Sequence, residues 1–108
     1  MEIEVLVVPD CPNQRLAEER LRQALDGTGL RAARLTIRTV TDEATAARTG
    51  FTGSPTILIN GRDPFAVPGA VPSLTCRMYR TPDGLEGAPE TARIRAALRA
   101  AAGADGGA

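Results

Sequence analysis

The chain predicts an α/β domain of order β-α-β-α-β-β-α, with a four-stranded mixed sheet flanked by helices over residues 1–102 and a disordered tail at 103–108. Three observations carry this reading. An aliphatic run from Ile3 to Val8 closes on Pro9 and Asp10, as a strand buried on both faces does. From Pro12 the apolar spacing becomes helical. Strand and helix patterns then keep alternating through 108 residues, which implies a parallel crossover and one domain rather than two.

Each element follows from its own pattern. Leu16, Ala17, Leu21, Ala24 and Leu25 share one helical face opposite Glu18, Glu19, Arg22 and Gln23, and Gly27 and Gly29 end that helix. Leu30 to Val40 carries the alternation of Leu35 and Ile37 among Thr and Arg, as expected of a less buried second strand. Thr41 and Asp42 offer caps for a short Ala-rich helix that stops before Gly50. Thr56 to Ile59 reads as the third strand, reversed by Asn60 and Gly61, which both tolerate positive φ. A loop with Pro64, Pro68 and Pro72 leads to an antiparallel fourth strand over Leu74 to Tyr79. Pro82, Gly84 and Gly87 mark another loop. Ile94, Ala97, Leu98 and Ala101 form one face of the last helix, with Pro89 near its first turn.

Composition removes several function classes. Hydrophobic residues make up 43% of the chain but aromatics only 3%, so the core must rest on aliphatic side chains. The 13 basic residues, all Arg, balance 13 acidic ones, which leaves no net charge to attract nucleic acid or an anionic membrane. With no His, there is no imidazole base, Cys-His pair or imidazole metal ligand. The start, MEIEVLVVPDC, has no basic stretch and too short an apolar run for a signal peptide or membrane span, which points to the cytoplasm. There, two cysteines are reactive, buried or metal-binding more often than disulfide-bonded. The motifs require no metal and no cofactor.

Cys11 falls between the first strand and the first helix, at the sheet edge where α/β sites gather. Free N–H groups and the positive end of the helix dipole favour a thiolate there, and the Asp10 carboxylate opposes it. A nucleophile and an inert buried thiol both remain open. Pro55 precedes the third strand, where a proline lacking a donor is tolerated, as a cis or an ordinary trans peptide. Cys76 shares a strand face with Leu74 and Met78, and packing is its first expected role. Arg77 and Arg80 read as solvated surface, and Asp63 and Asp83 as turn residues.

The strand, Cys11-Pro12 helix start, Ser54-Pro55-Thr56 strand entry and terminal β-α unit resemble the thioredoxin-like superfamily over about residues 1–102. The phrases CPN at Cys11, GFTGSPT from Gly50, NGRDP from Asn60 and CRMYRTPDG from Cys76 narrow the resemblance. They look like a group of short bacterial thioredoxin-like proteins with the single-cysteine CPNQ motif, some named for alkylmercury lyase. The cysteines and acidic donor of organomercurial lyases are not reproduced in their arrangement.

The resemblance implies that Cys11 is the nucleophile, Pro55 a cis proline beside it, and Ser54 the residue whose backbone pairs with a bound thiol substrate. Pro12, Asn13 and Gln14 would line the substrate side. Gln14 stands where thioredoxins carry the second cysteine, so a dithiol cycle within this motif is excluded. The expected function is a monothiol protein that exchanges disulfides or reduces a peroxide or other electrophile, with resolution by a small thiol, a protein disulfide partner or Cys76. A thiolate site for a soft metal such as mercury, using Cys11 and Cys76, and a non-catalytic interaction module are the alternatives.

Overall fold

The computed structural model describes residues 1–30 and 32–106, with side chains to residue 103. Its elements are β1 (Glu2–Val7), α1 (Gln14–Asp26), β2 (Arg34–Thr39), α2 (Glu43–Thr49), β3 (Thr56–Ile59), β4 (Tyr79–Thr81), β5 (Gly84–Glu86) and α3 (Thr91–Gly106). The main sheet has the order β2-β1-β3. β1 runs parallel to β2, with Val5 opposite Ile37, and antiparallel to β3, with Val5 opposite Ile57.

β1 is central because Ile3, Val5 and Val7 are apolar toward one face and Leu6, past Glu2 and Glu4, toward the other. Ile3, Val5 and Val7 join Ile57 and Ile59 in a core closed by Ala17, Leu21 and Ala24 of α1 and Ile94 and Leu98 of α3. Leu6 and Leu58 face the other way, into a smaller core with Val40, Ala46 and Phe51. One face thus carries two helices and the other α2 with one ring. β2 lies at the edge and alternates exposed with half-buried residues, which fits its Thr and Arg content.

The caps obey local chemistry. The Asp42 carboxylate accepts from the Thr45 N–H at 2.7 Å, and Gly50 closes α2 with φ of 77°, in the left-handed region where a side chain is disfavoured. At the other end of the molecule, α3 continues to Gly106, past its last periodic apolar residue, Ala101. Residues 107 and 108 of the expected tail lie outside the described residues.

The single four-stranded sheet is not formed. There are instead a three-stranded sheet and a separate two-stranded one, β4-β5. The Asn60-Gly61 turn does form, since Ile59 and Arg62 exchange both main-chain hydrogen bonds. It then diverges at Asp63-Pro64. The chain past Pro72 returns on a different course, pairing through a parallel bridge between Cys76 and Ser54, just ahead of β3. Tyr79 to Thr81 then turn back on Gly84 to Glu86, so the segment expected to be a loop around Pro82 is a hairpin. Three prolines between Pro64 and Pro72 hold the segment away from a regular return beside β3.

Candidate functional site

Cys11 and Ser54 are both tied to the chain that leaves the C-terminal end of β1. Asp10 turns the chain with φ of 58°, a conformation Asp tolerates, and delivers Cys11 into the edge of the larger core. Cys11 is 9% exposed. The Gln14 N–H donates to the Cys11 C=O at 3.3 Å, so Cys11-Pro12-Asn13-Gln14 forms a turn ahead of α1. Pro12 therefore precedes the helix instead of occupying its first turn. Asn13 is the N-cap by position, with no capping bond from its side chain. That side chain lies against Gly87, where an added Cβ would stand 2.2 Å from Asn13 Cγ. Arg20 of α1 fixes the same loop by donating to the Ala88 C=O at 3.0 Å and pairing with Glu86 at 3.1 Å. Gly87 thus packs beside the start of α1, and Ala88 shares the larger core with Cys11.

The Gly53-Ser54-Pro55 segment is held at the same end of β1. Ser54 and Pro55 are buried, and the peptide bond between them is cis. Ser54 Oγ accepts from the Val8 N–H at 3.0 Å, which fastens this segment to the end of β1. The Ser54 main chain faces outward: its N–H donates to the Thr75 C=O at 2.8 Å and its C=O accepts from the Arg77 N–H at 2.9 Å.

Two expectations about the region after Pro72 are reversed. Cys76 is exposed rather than packed, as are Thr75 and Met78, while Arg77, Tyr79 and Thr81 point inward. The face of the segment is therefore the opposite of the one its apolar residues suggested. Arg77 is no surface residue. Its guanidinium pairs with Asp63 at 2.7 Å, donates to Thr52 Oγ1 at 3.2 Å and to the Phe65 C=O at 2.5 Å, and stands 4.6 Å from the centre of the Tyr79 ring. Asp63 also keeps its turn role, accepting from the Phe65 N–H at 2.8 Å. The Tyr79 hydroxyl donates to the Pro55 C=O, and its ring meets Phe65 edge-on. Burial, with a smaller push from Asp63 and against the opposing pull of Arg77, holds the Tyr79 hydroxyl well above its usual range. Arg77, Tyr79 and Gly87 escaped the sequence reading; the period-two spacing of residues 77, 79 and 81 was the available signal for the first two.

Both cysteines are free. Among the described residues, no group of three or more Cys, Asp or Glu is placed to hold a metal ion, and no helix is long and apolar enough to cross a membrane. A groove between the Asn60–Phe65 turn and α3 lies at the other end of the sheet and contains neither cysteine. Residues 1–75 match the family model described as a thioredoxin domain. No curated protein and no solved structure matches the chain.

Proposed function

Since the chain belongs to the thioredoxin-domain family, we propose that it is a monothiol protein in which Cys11 is the nucleophile toward a disulfide, a peroxide or a related electrophile. The observation that supports this most is the fastening of Ser54 to Val8, which holds the Ser54-Pro55 wall against the end of β1, where Pro9 and Asp10 lead into Cys11. Sulfur, helix start and acceptor wall then share one edge. That is where the free N–H groups of α1 also lie.

In the exchange step, the Cys11 thiolate attacks one sulfur of the acceptor disulfide, the other sulfur leaves as a thiolate that takes a proton, and a mixed disulfide remains on Cys11. Because Gln14 stands four positions along the motif, where a resolving cysteine would be needed, a small thiol or a partner protein's thiol completes the cycle. With a peroxide, the thiolate bonds to one oxygen as the O–O bond breaks, the departing alkoxide or hydroxide takes a proton and leaves as alcohol or water, the sulfenic acid condenses with one thiol to give a disulfide and water, and a second thiol reduces that disulfide to restore Cys11. The setting proposed is the cytoplasm, where such thiols are abundant. Ser54 and Pro55 orient the acceptor, and Pro12, Asn13 and Gln14 flank its approach.

The experiment compares Cys11→Ser and Cys76→Ser in disulfide exchange and peroxide consumption. Loss of activity in Cys11→Ser, by at least about a hundredfold, with most of it kept in Cys76→Ser, is expected. Full activity in a folded Cys11→Ser protein sinks the proposal. The same pair of variants separates the soft-metal alternative, which needs both thiolates: metal binding should be lost in either variant if that is the function.

A further inference from the structure

Ser54 is joined to β1 through its side chain, which leaves its main-chain N–H and C=O directed off the sheet edge. Both are already occupied. Thr75 and Arg77 take them at 2.8 and 2.9 Å, in an isolated parallel bridge centred on Cys76. This is the hydrogen-bond pattern by which an extended strand is added to a sheet edge. Here the added strand belongs to the chain itself.

Apart from its two bonds to Ser54, the segment is seated mainly through Arg77. Thr75, Cys76 and Met78 are exposed, and in the preceding loop Val67 and Val71 are 62% and 70% exposed. Leu74 rests against the smaller core, and the Arg77 side chain supplies the anchor through Asp63, Thr52 and Phe65. Gly53 is shaped to receive it: its φ is 137°, and a Cβ there would lie 2.7 Å from Arg77 Cβ. Backbone approach this close admits only glycine.

We infer that residues 74–77 are a self-strand occupying the Ser54 edge, and that an extended polypeptide partner binds by displacing them. The inference rests on reading Ser54 as the residue that orients the acceptor. The bound segment then lowers the apparent affinity for any such partner by the fraction of molecules in which the edge is open. Arg77 sets that fraction, since it carries both a main-chain bond to Ser54 and the buried anchor. Releasing the segment frees two hydrogen-bonding groups and also moves the exposed Cys76 away from the edge.

The test uses the full chain and a synthetic peptide copying residues 72–79 with serine at the cysteine position, so that no thiol chemistry enters the readout. Amide hydrogen exchange is followed for Ser54 and Arg77. In the free protein these two amides should exchange together, through a local opening faster than the exchange of Val5 in the central strand. Added peptide should slow exchange at Ser54 and speed it at Arg77, because the partner replaces one and evicts the other. Arg77→Met should bind the peptide on the order of tenfold more tightly. Opposite movement of the two amides supports the self-strand even if Arg77→Met fails to fold. It is overturned if both amides exchange only with the central strand, or if peptide leaves them unmoved or protects both. The experiment repeated in Cys11→Ser should give the same result, so a failure of the thiol reading would be visible separately, as disulfide exchange retained in a folded Cys11→Ser protein whose peptide binding is unchanged.

Discussion

Tyr79 shows how a single side chain can report on the wall of the site. It is the chain's one tyrosine, its hydroxyl donates to the buried Pro55 C=O, and burial raises its pKa. A group whose pKa is raised on folding binds its proton more tightly in the folded state, so its contribution is complete below the unfolded value, about 10, and is lost as pH rises beyond it. Phenolate absorbance should therefore appear only well above the ordinary tyrosine range, and unfolding free energy should fall with pH past about 10. Titration at the ordinary tyrosine pKa in the folded protein would show that the hydroxyl is not buried. Tyr79→Phe is expected to cost about 1–2 kcal/mol in chemical denaturation, since it leaves a buried carbonyl unpaired. Arg77→Ala should cost more, about 3–5 kcal/mol, because it strands the Asp63 carboxylate, which is only 11% exposed. Little of this was legible beforehand. The period-two spacing of residues 77, 79 and 81 was the one cue that Arg77 points inward, whereas Cys11 and Pro55 stood out through a strand end and proline chemistry, and Ser54 through the family resemblance alone.

Elements built on local rules were read from the sequence, and those built on long-range contacts were not. β1, α1, β2, α2 and β3 follow from periodicity and caps such as Asp42 and Gly50, which act within a few residues. The course after Asn60 depends on Arg77 finding Asp63 and on Tyr79 reaching Pro55, contacts that no short window contains. The hairpin β4-β5 was hidden for the same reason: Pro82 and Gly84 mark a turn equally well with or without flanking strands. The Asp42 carboxylate is held below its ordinary pKa, mainly by the hydrogen bond from the Thr45 N–H, so its cap is intact above about pH 4 and lost as pH falls below the lowered folded value. The Thr45 amide resonance should follow that titration; an amide unmoved down to the unfolding transition would contradict it. Gly87→Ala should destabilise by about 1 kcal/mol, since the Asn13 carboxamide, which makes no capping bond, must turn aside. Asn13→Ala in the same protein should restore part of that loss, and additive effects would show that the two residues do not touch.

At the scale of the whole molecule, the sheet separates two unequal cores, and the site sits where the larger one opens. The smaller core has Phe51 as its only ring, fully buried. Phe51→Ala is expected to cost about 3–5 kcal/mol, a large share of the stability of a domain this size. The larger core ends in Cys11, so the thiol assigned to chemistry is the less accessible of the two, and exposed Cys76 is open to any reagent. Accessibility and the proposed role therefore point to different cysteines, and alkylation rates alone would rank Cys76 first. The direct measurement is single-turnover trapping of a mixed disulfide in the Cys76→Ser protein, with the adduct located by mass mapping and then released by a small thiol. An adduct on Cys11 that forms and is released at the rate of steady-state exchange is the expected result. A folded protein that consumes disulfide with no adduct on Cys11, or keeps its rate when Cys11 is replaced by serine, would contradict the assignment.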